Sequence, residues 1–109
     1  MEKSDALTAL AALSQPMRLD AIRLLIKAGP TGLLAGDLAK ALEARANTLS
    51  ANLAVLLNAK LVRNTREGRG IRYRADMDRM AALMAYLMED CCGGHPDLCR
   101  PAIADISAC

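Results

Sequence analysis

The stretch AGDLAKALEARANTLSANLAVLLN, residues 35–58, decides the fold. Residues 35–42 read as a short helix, Glu43-Ala44-Arg45 as a three-residue turn, and Ala46 to Asn58 as a longer helix. Two helices joined this tightly make a candidate helix-turn-helix. In the second helix Leu49, Leu53, Leu56 and Leu57 take the buried stripe. Asn47, Thr48, Ser50 and Asn52 are left on other faces, where short polar groups suit base edges and phosphates; Arg45 in the turn belongs with them.

Upstream, Pro16 opens a helix that runs to about Ala28. Leu19, Ile22, Leu25 and Ile26 recur along it at helical spacing, and Gly29-Pro30 stops it. Before it, residues 4–13 read as a first helix capped by Ser4, with Leu7, Leu10 and Ala11 on one face. Downstream the period shortens. Residues 61–66 and 71–74 are short runs with β-branched or aromatic members, and Glu67-Gly68-Arg69-Gly70 between them permits a tight reversal. The result is a hairpin with an arginine-rich tip. Met77, Met80, Ala81, Met84, Leu87, Met88 and Cys91 then repeat at three and four, which predicts a last helix from about Asp76 to Cys92, stopped by Gly93-Gly94. Residues 1–92 therefore read as one domain and 93–109 as a cysteine-containing tail.

Composition agrees. A chain of 109 residues, 53% hydrophobic, accommodates one ordinary domain. It has no Phe or Trp and two Tyr, so the core is built from Leu, Ala, Ile, Val and Met, which argues against an all-β fold and for packed helices. A core this modest is commonly supplemented by burial between subunits, and an oligomer is expected. The start of the chain lacks the pattern of a secretory signal, and no run approaches the ~18 apolar residues of a membrane span, so the expected location is the cytoplasm. The net charge of +2 is unevenly spread: residues 60–74 carry +5 and residues 76–105 carry −4. Phosphates would meet the first segment.

With that element order, the segments Leu10-Ala-Ala-Leu-Ser-Gln-Pro-Met-Arg-Leu19, Asp37-Leu-Ala-Lys-Ala-Leu42, Leu53-Ala-Val-Leu-Leu-Asn-Ala-Lys-Leu-Val62 and Arg66-Glu-Gly-Arg-Gly-Ile-Arg-Tyr73 resemble the ArsR/SmtB family of metalloregulatory repressors. The resemblance covers roughly residues 6–90. It implies a mainly α winged helix-turn-helix with one β-hairpin wing. It also implies a homodimer through the first and last helices, and a repressor whose Ala46–Asn58 helix enters the major groove of operator DNA. On this reading the DNA contacts fall to Arg45, Asn47, Thr48, Ser50, Asn52, Arg66, Arg69 and Arg72. Two ligand sets of the family are missing. The Cys-x-Cys of many arsenic sensors is replaced by Gly32-Leu-Leu-Ala-Gly-Asp37, and the last helix has no histidine for a zinc site. Asn52 stands where many members have His.

The remaining candidate is the cysteines, all four of which follow residue 90. In a reducing cytosol they are more plausibly thiols than a disulfide framework. Cys91, Cys92 and Cys99 supply three sulfurs joined by a linker able to fold back. Trivalent arsenic or antimony bonds three sulfurs in a pyramid, so a three-thiolate set without a good fourth ligand favours a metalloid such as arsenite over tetrahedral zinc. Adjacent helical residues point about 100° apart, so Cys91 and Cys92 grip one ion only if the helix end unwinds. Cys109 and His95 are left outside the core set.

Other readings stay open. As a small buried hydrophobe, Cys91 would equally continue the methionine stripe. The same fold with the same thiols would serve to sense cadmium, zinc or oxidation. A thiol protein that sequesters metal would need no DNA affinity, against which the arginine hairpin speaks. An enzyme is disfavoured because a catalytic thiol needs a base, and the single histidine lies in a glycine-rich loop.

Overall fold

The computed structural model describes residues 1–89. Cys91, Cys92, Cys99, Cys109 and His95 lie outside the described residues, as does the expected domain boundary at residue 92. The elements are α1 (Lys3–Leu13), α2 (Pro16–Ala28), a 3-10 turn (Gly29–Thr31), β1 (Leu33–Leu34), α3 (Ala35–Leu42), α4 (Ala46–Asn58), β2 (Val62–Glu67), β3 (Gly70–Ala75) and α5 (Met77–Leu87). Among the described residues no helix is long and apolar enough to cross a membrane.

Local chemistry accounts for most of the boundaries. Pro16 is suited to a first helical turn, whose N–H groups lack intrahelical partners, and the Gln15 side chain accepts from the Arg18 N–H at 2.8 Å. α3 and α4 both end in a residue at positive φ, Glu43 (51°) and Lys60 (64°). The next amide in each case reaches back five residues, Ala44 to Ala39 and Leu61 to Leu56, in the Schellman pattern. The first of these turns sets the angle between α3 and α4; the second delivers Leu61 into the core. α1 is capped two residues earlier than expected. Glu2, not Ser4, is the N-cap, and its N–H donates to Asp5 Oδ2 at 3.1 Å.

α2 is the centre of the packing and touches α1, α3, α4 and β3. Ile22, Leu25, Leu38, Leu49, Leu53, Leu56 and Leu61 are its fully buried neighbours and members, each contributing about 2 kcal/mol of burial. The apolar residues of α1 and α2 divide between an inner and an outer face. Ala6, Ala9 and Ala12 of α1 turn inward and Leu7 and Leu10 outward; in α2, Ala21, Ile22 and Leu25 are buried while Leu19 and Ile26 are exposed. Alanine lets two helices approach closely, and the larger side chains are displaced to the outer face.

The hairpin pairs Val62 with Ala75 through Glu67 with Gly70. Gly68 has φ 61° and Arg69 does not, the signature of a type II′ turn. β3 is the middle strand, because β1 adds on its other side (Leu33 opposite Tyr73, Leu34 opposite Arg72). This third strand was not expected. It depends on Gly32, whose φ 64° and ψ −163° suit glycine alone. α5 ends at Leu87, before the expected end at Cys92, which lies outside the described residues. Glu89 follows, and a carboxylate is unfavourable at the negative end of a helix dipole.

Candidate nucleic-acid interface

α4 packs through Leu49, Leu53 and Leu56, which fixes what it shows to solvent. At 100° per residue, Asn47, Ala51, Ala54 and Asn58 fall opposite the buried stripe, with Ser50 on one flank and Thr48 and Val55 on the other; all are exposed. Arg45 is the N-cap residue and is exposed too, and no side chain caps this helix end. The outer face therefore carries short polar groups and small apolar ones, a shape that lets backbone approach a groove closely. Ala51, Ala54, Val55 and Asn58 were not among the expected contacts. The helical wheel itself places them on this face, where methyl groups suit the thymine methyl as amides suit adenine.

Asn52 is placed differently from its neighbours. It lies about 60° from Leu49 and is partly buried; Oδ1 accepts from Arg18 Nη1 at 3.0 Å, and Nδ2 donates to the Thr48 carbonyl at 3.1 Å and lies 3.3 Å from Met17 Sδ. Its polar atoms are already engaged by α2 and by α4 itself.

The wing divides its arginines into two groups. Arg66 and Arg69 are exposed at the tip and make no ion pair among the described residues. Arg72 is held back: Nε donates to Glu67 Oε2 at 2.8 Å and Nη1 to the Thr31 carbonyl at 3.2 Å. Arg74 bonds the Pro30 carbonyl and the Thr65 hydroxyl, and Arg63 stands 3.7 Å from Asp76. These contacts brace the base of the wing against the turn after α2, so that a basic tip projects from a fixed stem.

A family described as a helix-turn-helix domain matches residues 13–65. An ArsR-like transcriptional regulator from Rhodococcus sp. RHA1 superimposes with a TM-score of 0.69 at 28% identity, covering 94% of this chain and 92% of that one. The chain is similar to ArsR-like winged helix-turn-helix regulators in both fold and sequence. A possible transcriptional regulator for arsenical resistance is also similar (TM-score 0.65, 28% identity, 74% of this chain and 81% of that one). So is the homodimeric winged helix-turn-helix domain Mb0332 from Mycobacterium bovis (TM-score 0.63, 27% identity, 84% and 85%). No curated protein matches. Fold and family are those of a DNA-binding transcriptional regulator rather than an enzyme.

The wing stem of this winged helix-turn-helix carries a titratable contact. The hydrogen bond from Arg72, with its positive charge and that of Arg74, holds the Glu67 carboxyl below its ordinary value of 4.5, although desolvation pulls the other way. A lowered folded value means that the pair stabilises the wing above pH 4.5 and that this contribution is lost as pH falls through the lowered value. The wild type is expected to melt above Glu67→Gln at pH 7, with the gap closing on acidification. Melting curves across pH check this; a gap that stays constant would show that the ion pair contributes nothing.

Among the described residues no three potential ligands cluster to hold a metal ion.

Proposed function

We propose that this regulator is a homodimeric repressor that leaves its operator when a trivalent metalloid, arsenite or antimonite, binds Cys91, Cys92 and Cys99. The observation that carries the reading is the position of the cysteines in the sequence: all four follow residue 90, and Cys91 and Cys92 come within five positions of the end of α5 at Leu87. Three soft sulfurs match the pyramidal preference of As(III): each As–S bond replaces an As–OH bond of arsenous acid, and the thiol proton leaves with that hydroxyl as water. The similar regulator described for arsenical resistance gives the same direction.

The dimer follows from exposed apolar surface. Of the ten exposed large hydrophobic side chains among the described residues, Leu7, Leu10, Met77, Met84, Leu87 and Met88 lie on α1 and α5 or just beyond, and the two helices touch. Met77, Met84 and Met88 fall within about 40° of one line along α5. A second copy placed here sets the spacing of two α4 helices against successive major grooves. Base contacts belong to Asn47, Thr48 and Ser50 on α4, and phosphate contacts to Arg45, Arg66 and Arg69. Metalloid binding just beyond α5 would disturb that spacing. Moving occupancy from 99:1 to 1:99 takes about 10⁴-fold preference in total, shared between two sites. A cytoplasmic location, where thiols stay reduced, suits this chemistry.

The test is fluorescence anisotropy with a duplex from upstream of this protein's own gene, under reducing conditions. Arsenite is expected to release the wild type and not the Cys91/Cys92/Cys99→Ser variant. Specific binding that ignores arsenite would sink the metalloid reading. Release by an oxidant, reversed by a reductant, would put thiol oxidation in its place.

A further inference from the structure

Arg18 joins three helices at one guanidinium. It stands in the first turn of α2, where its own N–H is held by the Gln15 cap. Nε donates to the carbonyl of Ala12, in the last turn of α1, at 2.6 Å, and Nη1 donates to Asn52 Oδ1 on α4 at 3.0 Å. Asn52 in turn donates to the Thr48 carbonyl of α4 at 3.1 Å. A continuous line of hydrogen bonds thus runs from the end of α1, the helix that exposes Leu7 and Leu10, to the flank of α4.

Position gives this line its leverage. Asn52 sits beside the buried stripe, so a pull on it turns α4 about its own axis rather than along it. At a side-chain radius of about 6 Å, a rotation of about 15° carries Asn47 or Ser50 through about 1.5 Å, enough to break a base-edge hydrogen bond. A planar guanidinium with donors in fixed directions holds such a setting better than a lysine ammonium.

We propose that Arg18 is a positioning residue for DNA recognition: acting through Asn52, it fixes the rotation of α4 relative to α1 and does not itself touch DNA. This rests on the reading of α4 as the helix that enters the major groove. It gives Asn52 a role that base contact does not.

The experiment measures affinity of the full chain for the upstream duplex and a scrambled one across a salt series. It compares wild type, Arg18→Met, Arg18→Lys, Asn52→Leu and the Arg18→Met/Asn52→Leu pair. Arg18→Met is expected to lower specific affinity about 3- to 30-fold, with scrambled-duplex affinity and salt slope unchanged; Arg18→Lys falls between. In the Asn52→Leu background the same change costs less than about 2-fold, because the line is already cut. The pair leaves no unsatisfied amide opposite a lost guanidinium, so it melts closer to wild type than Arg18→Met while its specific affinity stays low; this separates positioning from stability. An equal loss in both backgrounds, or a slope shallower by about one phosphate as expected for Arg69→Ala, would show that Arg18 meets DNA directly and overturn the proposal. An Arg18→Met that binds as tightly as a wild type able to discriminate the two duplexes overturns the clamp and leaves α4 as the reading helix. A wild type that does not discriminate them overturns both.

Discussion

Gly32→Ala is expected to destabilise the protein by roughly 3 kcal/mol or more, while Gly29→Ala costs about 1–3 kcal/mol. Both glycines occupy the region near φ 65° with ψ close to ±150–180° that L side chains avoid, Gly29 at 66° and −150° and Gly32 at 64° and −163°. They differ in what a methyl would meet. Nothing lies within 4 Å of a Cβ at Gly29; at Gly32 it would collide with the Tyr73 carbonyl oxygen and stand 2.7 Å from Arg74 Cγ. The Tyr73 carbonyl belongs to the middle strand, so relief requires moving β1 off β3, and with it the turn whose Thr31 and Pro30 carbonyls receive Arg72 and Arg74. The wing would lose its brace and DNA affinity would fall with stability. Thermal melts decide the matter: for a domain of this size each kcal/mol shifts Tm by about 4–8 °C, so Gly32→Ala should melt well below Gly29→Ala. Equal shifts would mean that backbone conformation alone, and not the approach of β3, requires glycine at 32.

The contrast between Gly32 and the helix boundaries marks where local sequence chemistry is sufficient. Pro16, Gly29 and the Glu43-Ala44-Arg45 turn act within a few residues, and α2, α3 and α4 begin and end where those signals place them. The hairpin is likewise legible, because Gly68 acts on its own turn. β1 is two leucines long, has no alternation to detect, and exists only because β3 passes beside it. No local pattern reports such a pairing.

Side-chain roles divide the same way. Asn47, Thr48 and Ser50 lie off the stripe of α4, and periodicity alone leaves them on the outer surface. Asn52 is off the stripe too, yet it is drawn inward by Arg18, a residue 34 positions earlier. Arg66 and Arg69 differ from Arg72 only through what stands opposite: Arg72 faces Glu67 and the Thr31 carbonyl. Charge counting sees six basic residues between 60 and 74, and tertiary contact decides which of them remain available to phosphate.

The same limit governs α1 and α5, and it leads to the largest effect on function. Leu7, Leu10 and Ala11 mark one apolar face of α1, as their spacing says, but Ala6, Ala9 and Ala12 make the face that meets the chain's own core. Period alone does not distinguish a face that packs internally from one that packs on a second copy. Leu7 is 58% exposed and Met84 44%, so Leu7→Glu with Met84→Glu removes little internal burial and should leave the helical content of the subunit intact. At a dimer contact, however, it places four carboxylates in an apolar seam, where each is costly to bury. The variant is expected to be monomeric by light scattering and to bind the two-half-site duplex about 10²–10⁴-fold more weakly, because the second half-site contact ceases to be intramolecular. Affinity for a single half-site should hold within about 2-fold, since α4 and the wing are untouched. Weakening on both duplexes alike would point to a damaged fold. A monomer that retains full affinity for the long duplex would show that each subunit reads DNA alone, and the spacing mechanism for metalloid release would fall with it.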